Sequence, residues 1–511
     1  MADQSSEQSP RVEGWRDDRY RWAALDPAGD ERGTVFSTVY IKDELIIDPV
    51  AAEEAAAGAG FAVAAPETGR ADPEAAVTTL AGILGWTVER RELEDRGEGE
   101  QSDPGRSRSY RLRLGVAPRQ QPLLPGGVVA KSPDAWQVLR QARADGTSAG
   151  ISLNHVMTTD ALGADPFKMT PFKMTPFKMT PFKMTGGSTG MSTYASPGFG
   201  GRQPITYLGQ VRPPTGADED RPVVAVFDTG CGEHPWFPSD VLIKPVLSDG
   251  TPIGLDDAKT DPEAHPSLAR PLEGWLDDAA GHGTFIAGII RQQCPDAWIL
   301  PVRVSDGEGI ILENELIGAL GRLLALMEDG QRVDVLNLSF SFFHETPDDP
   351  TSVSEIRRLL DDIRAKGCVV VCSAGNDATD RPTAPATLGG GDPTHVVVGA
   401  LNPSSESVAL FSNIGEWVTV YAPGVSVVST LPTEFNGSVQ AGSRDDLYGR
   451  RRETLDVDEF AGGFAVWSGT SFSAPVVAGR VAALIVSGQS GSAAAKKTVE
   501  EFRAQDRSRV S

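Results

Sequence analysis

The 511-residue sequence predicts an α/β domain in three layers, a parallel sheet covered by helices, preceded by a smaller α+β domain. Two observations carry this reading. Beyond Arg221, short continuous apolar runs alternate with helical patterns; runs without polar alternation mark strands buried on both faces, as in a parallel sheet. Ahead of that region, residues 33–157 give the element order β-α-β-β-α-β. The length agrees, since a chain of this size exceeds one ordinary core.

The apolar runs are 223–228, 299–304, 333–339, 368–374, 396–400 and 418–422. Helical patterns cover 282–293, 313–328, 352–366 and 471–486. In the N-terminal part, 33–47 is rich in β-branched and aromatic residues and reads as a strand. After an Ala/Gly-rich stretch comes a helix at 73–86, with Ala76, Leu80, Ile83 and Leu84 on one side. Residues 87–93 read as a strand. Tyr110, Leu112 and Leu114 alternate with polar positions in another strand at 109–116. A helix at 134–144 and a final strand at 151–157 complete a ferredoxin-like order.

The expected divisions are a flexible polar tail at 1–32, the α+β domain at 33–157, a linker at 158–220, the α/β domain at 221–490 and a polar tail at 491–511. The linker contains PFKMT four times in tandem between Pro166 and Thr185. Proline at every fifth position precludes a regular helix or interior strand. A low-complexity spacer is the plain reading, with a protease-sensitive hinge or a docking tract as the functional ones.

Acidic residues outnumber basic ones, 70 against 47, for a net charge of −23. Such a surface repels nucleic acid and anionic membranes, so neither is an expected partner. The first residues lack an apolar signal core, and no apolar stretch reaches the ~18 residues of a membrane span. A cytoplasmic location is the simplest expectation, with export by another route left open. The four cysteines are Cys231, Cys294, Cys368 and Cys372. Cys368 and Cys372 fall on one strand ~13 Å apart, too far for a disulfide. Without CxxC or HxxxH spacing no metal site is expected, and reduced, buried thiols fit best.

Sites in parallel sheets form at the carboxyl ends of the strands. Asp228 lies at the end of the first buried run. His282, in Gly-His-Gly, opens the first helix; Asn376 follows the run at 368–374; Ser471 opens the last helix. Taken singly, these are a turn, a loop, a turn residue and an N-cap. Together they place an acid, a base, an amide and a hydroxyl on one edge of the sheet. The other histidines, His155, His234, His265, His344 and His395, have no comparable context.

The chain order Asp, His, Ser is that of subtilisin. Six motifs follow in order: VAVFDTG at 224–230, GHGTFIAG at 281–288, VLNLSFS at 335–341, SAGN at 373–376, YAPG at 421–424 and GTSFSAP at 469–475. Over roughly residues 222–487 the chain resembles the subtilisin-like serine proteases. The resemblance implies a serine endopeptidase that hydrolyses peptide bonds of a polypeptide substrate through an acyl-enzyme. Ser471 would attack the scissile carbonyl. His282 would take and return the proton, and Asp228 would orient the imidazole. Asn376 and the Ser471 N–H would bind the oxyanion.

By the same resemblance an extended substrate would pair with Gly307, Glu308 and Gly309 on one side and Ser339, Phe340 and Ser341 on the other. Ser341 stands where a glycine is usual and would narrow the entrance to the specificity pocket. An insertion around 434–464, rich in charged residues, would either overhang the cleft or form a solvated loop. No cofactor is expected: the calcium loop common in secreted relatives is missing after His282, and no Asp-rich ligand loop stands out. The N-terminal domain resembles a propeptide, implying an intramolecular inhibitor and chaperone removed by autoprocessing between about Thr158 and Gly187. The rival is a permanent regulatory domain. A catalytically silent binding or scaffold protein on the same fold is the alternative to an enzyme.

Overall fold

The computed structural model describes residues 21–25, 35–59, 72–93, 109–116, 132–159, 201–269, 271–346 and 354–509. The PFKMT repeats lie outside the described residues.

The N-terminal domain contains β1 (Trp22–Leu25), β2 (Thr38–Ile47), α1 (Pro49–Ala59), α2 (Pro73–Ile83), β3 (Trp86–Arg91), β4 (Tyr110–Val116), α3 (Ala135–Ala144) and β5 (Ile151–Thr159). Its strands run β5-β2-β4-β3, all antiparallel, which is the strand order of the βαββαβ arrangement. Leu45, Ile47, Leu112, Leu139 and Leu153 meet in one buried cluster behind the sheet. Asp72 caps α2 and Asp134 caps α3, each carboxylate accepting an N–H two residues on.

One expectation for this half needs correction, and one helix was not assigned. Part of the stretch read as a flexible tail is a strand: β1 pairs with β2, Trp22 opposite Ile41. Its partner lies well along the chain, so local polarity concealed it. The Ala/Gly-rich stretch holds α1, whose alanines favour a helix and whose start is capped by Asp48, accepting the N–H groups of Val50 and Ala51.

The second half contains β6 (Gln203–Pro204), β7 (Val223–Asp228), α4 (His282–Gln293), β8 (Trp298–Arg303), β9 (Ile310–Leu312), α5 (Glu313–Glu328), β10 (Val335–Leu338), β11 (Phe340–Ser341), α6 (Ser354–Ala365) and β12 (Val369–Ser373). There follow β13 (His395–Leu401), β14 (Val420–Pro423), β15 (Val427–Thr430), β16 (Arg444–Leu447), β17 (Arg450–Glu453), β18 (Phe464–Trp467), α7 (Thr470–Val486) and α8 (Gly491–Gln505).

Six of these strands form a parallel sheet in the order β14-β13-β12-β10-β7-β8. The unbroken apolar run of β7 has a simple cause. Val224 and Val226 enter the core on the α4, α7 and α8 face, while Val223, Ala225 and Phe227 enter the core under α5 and α6. From β7 the chain passes to β8 on one side and then to β10 on the other. The carboxyl ends of β7 and β10 therefore flank a crevice at the point of reversal.

The polar C-terminal tail is corrected as well. Residues 491–505 form α8, and Ala494, Ala495 and Phe502 bury against the core. Only Val499 and Phe502 among its apolar side chains are larger than alanine, which gives a weak periodic signal. Within the segment read as a linker, β6 pairs with β18, itself antiparallel to β15. Of the cysteines, Cys231 is only partly buried. Among the described residues no helix is long and apolar enough to cross a membrane.

Candidate active site

Asp228 closes β7 and is wholly buried. The backbone N–H of Thr229 donates to Asp228 Oδ1 at 2.8 Å, so the turn itself holds the carboxylate. Nδ1 of His282, the first residue of α4, lies 2.7 Å from the same oxygen. A carboxylate only accepts, so Nδ1 carries the proton and Nε2 bears the lone pair. Nε2 is buried and has no hydrogen-bond partner among the described residues. Trp467 and Phe472 flank the imidazole, with ring centroids at 5.6 and 5.2 Å.

The glycines around His282 answer to packing. Gly281 has φ of 82°, left-handed backbone, and a Cβ there would sit 2.3 Å from Leu431. A Cβ on Gly283 would lie 2.1 Å from the carbonyl oxygen of Gly230. The Gly283 N–H donates to Thr229 Oγ1 at 2.8 Å, tying the start of α4 to the end of β7.

Ser471 is buried in the first turn of α7. Pro475 has no N–H to return to the Ser471 carbonyl. Ser339, just past β10, supplies the missing donor: its Oγ donates to that carbonyl at 3.0 Å. Ser471 Oγ donates in turn to the Ser339 carbonyl at 3.3 Å. Asn376 Oδ1 accepts from the N–H and the hydroxyl of Thr470, at 3.0 and 2.9 Å. That leaves the NH₂ end of the amide to donate. Asp228, His282, Asn376 and Ser471 thus converge at the carboxyl edge of the sheet.

Beneath them lies Glu263, nearly inaccessible to solvent. Thr229 Oγ1 is 2.5 Å and Thr284 Oγ1 2.6 Å from its two carboxyl oxygens. Burial pushes its pKa up to about 7, against the pull of the two hydroxyls. Thr229 Oγ1 also lies 3.2 Å from Asp228 Oδ1, so one hydroxyl links Glu263 to the Asp228–His282 pair.

The chain's own β5 lies between β9 and β11 and pairs with both. On one side Val156, Met157 and Thr158 pair antiparallel with Leu312, Ile311 and Ile310. On the other, Thr158 and Thr159 pair with Ser341 and Phe340. Of the expected glycine segment, Gly309 bonds this strand, its carbonyl accepting the Thr159 N–H at 3.0 Å. Gly307 instead packs on Asp277 and accepts the N–H of Ala279, and Glu308 turns back on Asp306 Oδ1. Ser339 makes the contact with Ser471. The insertion at 434–464 projects an exposed hairpin, β16–β17, while Ser438 at its stem donates to the Gly274 carbonyl, in the segment ahead of His282.

The profile of the subtilase family matches residues 219–505, more than half of the chain. The chain belongs to the subtilase family. It is 28% identical over 231 residues to Subtilisin NAT of Bacillus subtilis subsp. natto, covering 43% of this chain and 49% of that one. It is 27% identical over 231 residues to the Major intracellular serine protease of Bacillus subtilis (strain 168), covering 43% and 63%. Fervidolysin of Fervidobacterium pennivorans is 28% identical over 283 residues, 52% of this chain and 34% of the relative. The chain spans about half the length of Subtilisin NAT.

In this subtilase, sequence reasoning missed Glu263, Thr470 and Arg202. Arg202 is buried and donates to the carbonyls of Asp277 and Asp278, clamping the segment that leads into His282. An arginine in a Gly/Pro-rich stretch carries no local sign of that role. Thr470 could have been found, since it sits inside GTSFSAP, but nothing in the motif says that its hydroxyl orients Asn376.

Proposed function

We propose that this subtilase is a serine endopeptidase held in check by its own N-terminal domain. The 2.7 Å contact between Asp228 Oδ1 and His282 Nδ1 carries the reading, because it orients a lone pair on Nε2 in a crevice that also holds Ser471. Ser471 Oγ attacks the peptide carbonyl and passes its proton to His282 Nε2. Asp228 holds the tautomer and stabilises the imidazolium. Asn376 and the Ser471 N–H receive the oxyanion, and the N-terminus of α7 adds a favourable dipole. The serine then leaves its contact with Ser339; in resting sites the nucleophile–base bond is often long and tightens with substrate.

Restraint follows from the place of β5 between β9 and β11. With β5 paired on both edges, a polypeptide substrate has no free strand edge to join. The two domains also share polar contacts: Arg358 with Asp48 at 2.9 Å, Asn154 with Asn314 at 2.9 Å, and Ser109 with Glu355 at 3.2 Å. Autoprocessing just beyond Thr159 releases the strand.

A fluorophosphonate probe tests the reading. The chain freed of its N-terminal domain labels at a single serine, and Ser471→Ala abolishes the label. N-terminal sequencing finds a new terminus after Thr159 in the parent and none in Ser471→Ala. A second reading, a silent binding protein on this fold, draws on the missing bond between Ser471 and His282. An unlabelled, freed domain would decide for it.

A further inference from the structure

The seam between the domains holds a buried polar cluster that peptide hydrolysis does not use. His155 comes from β5, whereas His344 and Glu345 follow β11. All three are buried, and donor atoms from each lie within 4.8 Å of one another. His155 Nδ1 is 2.6 Å from Glu313 Oε2. The carboxylate accepts, so Nδ1 donates to it, which leaves the other ring nitrogen, Nε2, to be accounted for. That Nε2 faces Glu345 Oε2, another acceptor, at 2.8 Å. His344 Nδ1 lies 3.5 Å from the same oxygen and accepts the Thr346 N–H at 3.0 Å, so it bears a lone pair.

Three possible ligand atoms therefore meet at one spot, and the contact of Nε2 with Glu345 Oε2 needs a cation there, either a second proton on His155 or a metal ion. A second proton on His155 would join His155 to Glu345 only. It would leave His344, buried and with Nδ1 3.5 Å from the same Glu345 oxygen, outside that link. A divalent cation serves all three at once, with the Thr346 N–H giving way at Nδ1.

We propose that His155, His344 and Glu345 form a binding site for a divalent cation of the zinc class, which staples the N-terminal strand to the subtilase domain. Two imidazoles and one carboxylate, with a water to complete a tetrahedron, suit zinc over calcium or magnesium. The surroundings match what such ligands need. Glu313 stands behind His155 as the outer carboxylate that sets its tautomer, and Arg143 donates to Glu345 Oε1 at 2.7 Å, leaving Oε2 to the metal. One ligand comes from the N-terminal side of the seam and two from the subtilase side. The site is complete only when the domains are docked, so cation binding and docking reinforce each other. This holds whether or not the chain is a peptidase.

The test uses the untagged full chain carrying Ser471→Ala, which stays uncut, stripped with a chelator and dialysed. Zinc titrated by calorimetry binds at about one equivalent, and cobalt(II) gives the visible absorption of a tetrahedral site. His344→Ala spares the His155–Glu345 and His155–Glu313 contacts, and near-ultraviolet circular dichroism checks its fold. It weakens zinc binding by about tenfold or more, and Glu345→Gln does the same. Failure of the parent to bind zinc stoichiometrically, or no tetrahedral cobalt spectrum, overturns the proposal whatever the variants do. Equal zinc affinity in parent and variants overturns it too and leaves a protonated His155 as the cation.

Discussion

Ser339 and Ser471 exchange hydrogen bonds: each hydroxyl donates to the other's carbonyl, at 3.0 and 3.3 Å. The cause lies four residues on, where Pro475 leaves the Ser471 carbonyl without a helical donor. A proline that would weaken most helices here opens a carbonyl to the end of β10 and locks the nucleophile's backbone to the sheet.

Ser339→Ala removes that donor and leaves a buried carbonyl and the Asn337 amide, which donates to Ser339 Oγ, short of partners. The expected cost is about 1–3 kcal/mol of unfolding free energy, read by denaturant titration. Stability equal to the parent would show that the exchange does not matter.

Asn376→Ala should lower kcat by about 10²–10³-fold with little change in KM, the magnitude known for the equivalent asparagine of subtilisin itself. Steady-state kinetics on a peptide substrate give the number. A change confined to KM would move Asn376 from the oxyanion to ground-state binding.

Glu263 gives a pH dependence with a definite sign. Its pKa rises from 4.5 to about 7 in the folded chain. Below 4.5 the carboxyl is neutral in both states and has no effect. Between there and 7 only the unfolded chain sheds the proton, so folding loses ground as pH rises, by ~3 kcal/mol in all. Glu263→Gln keeps the shape, donates to Thr229 and accepts from Thr284, and cannot ionise. The stability of the variant minus that of the parent should therefore climb across this window. A flat difference would mean that Glu263 is not held neutral.

Thr159→Pro deletes the N–H that β5 donates to Gly309. If β5 blocks the groove, the full-length variant reacts faster with a fluorophosphonate than the full-length parent. Equal rates before any cleavage would remove β5 as the restraint.

The parallel sheet was legible because both of its faces are covered. Burial on two sides keeps β7 and β12 almost wholly apolar, and a continuous run survives in the primary sequence. The helix start at His282 was legible for a related reason, since Gly281 before it answers to left-handed backbone and close packing. In the N-terminal domain, alternation along β4 and the caps at Asp72 and Asp134 mark its elements. By contrast α8, with Val499 and Phe502 its only apolar side chains larger than alanine, and β1, defined by its pairing with β2, leave little local trace.

By itself, then, the sequence determined the layered α/β architecture and which side chains make up the candidate site, because periodicity and backbone demands are written locally. Only the tertiary structure decided what surrounds that site: β5 between β9 and β11, Glu263 beneath Thr229, Arg202 on the segment before His282, and His155 between Glu313 and Glu345. These contacts join segments far apart in the chain. A buried charge or imidazole takes its meaning from the partners that replace its water, and those partners exist only once the chain has folded.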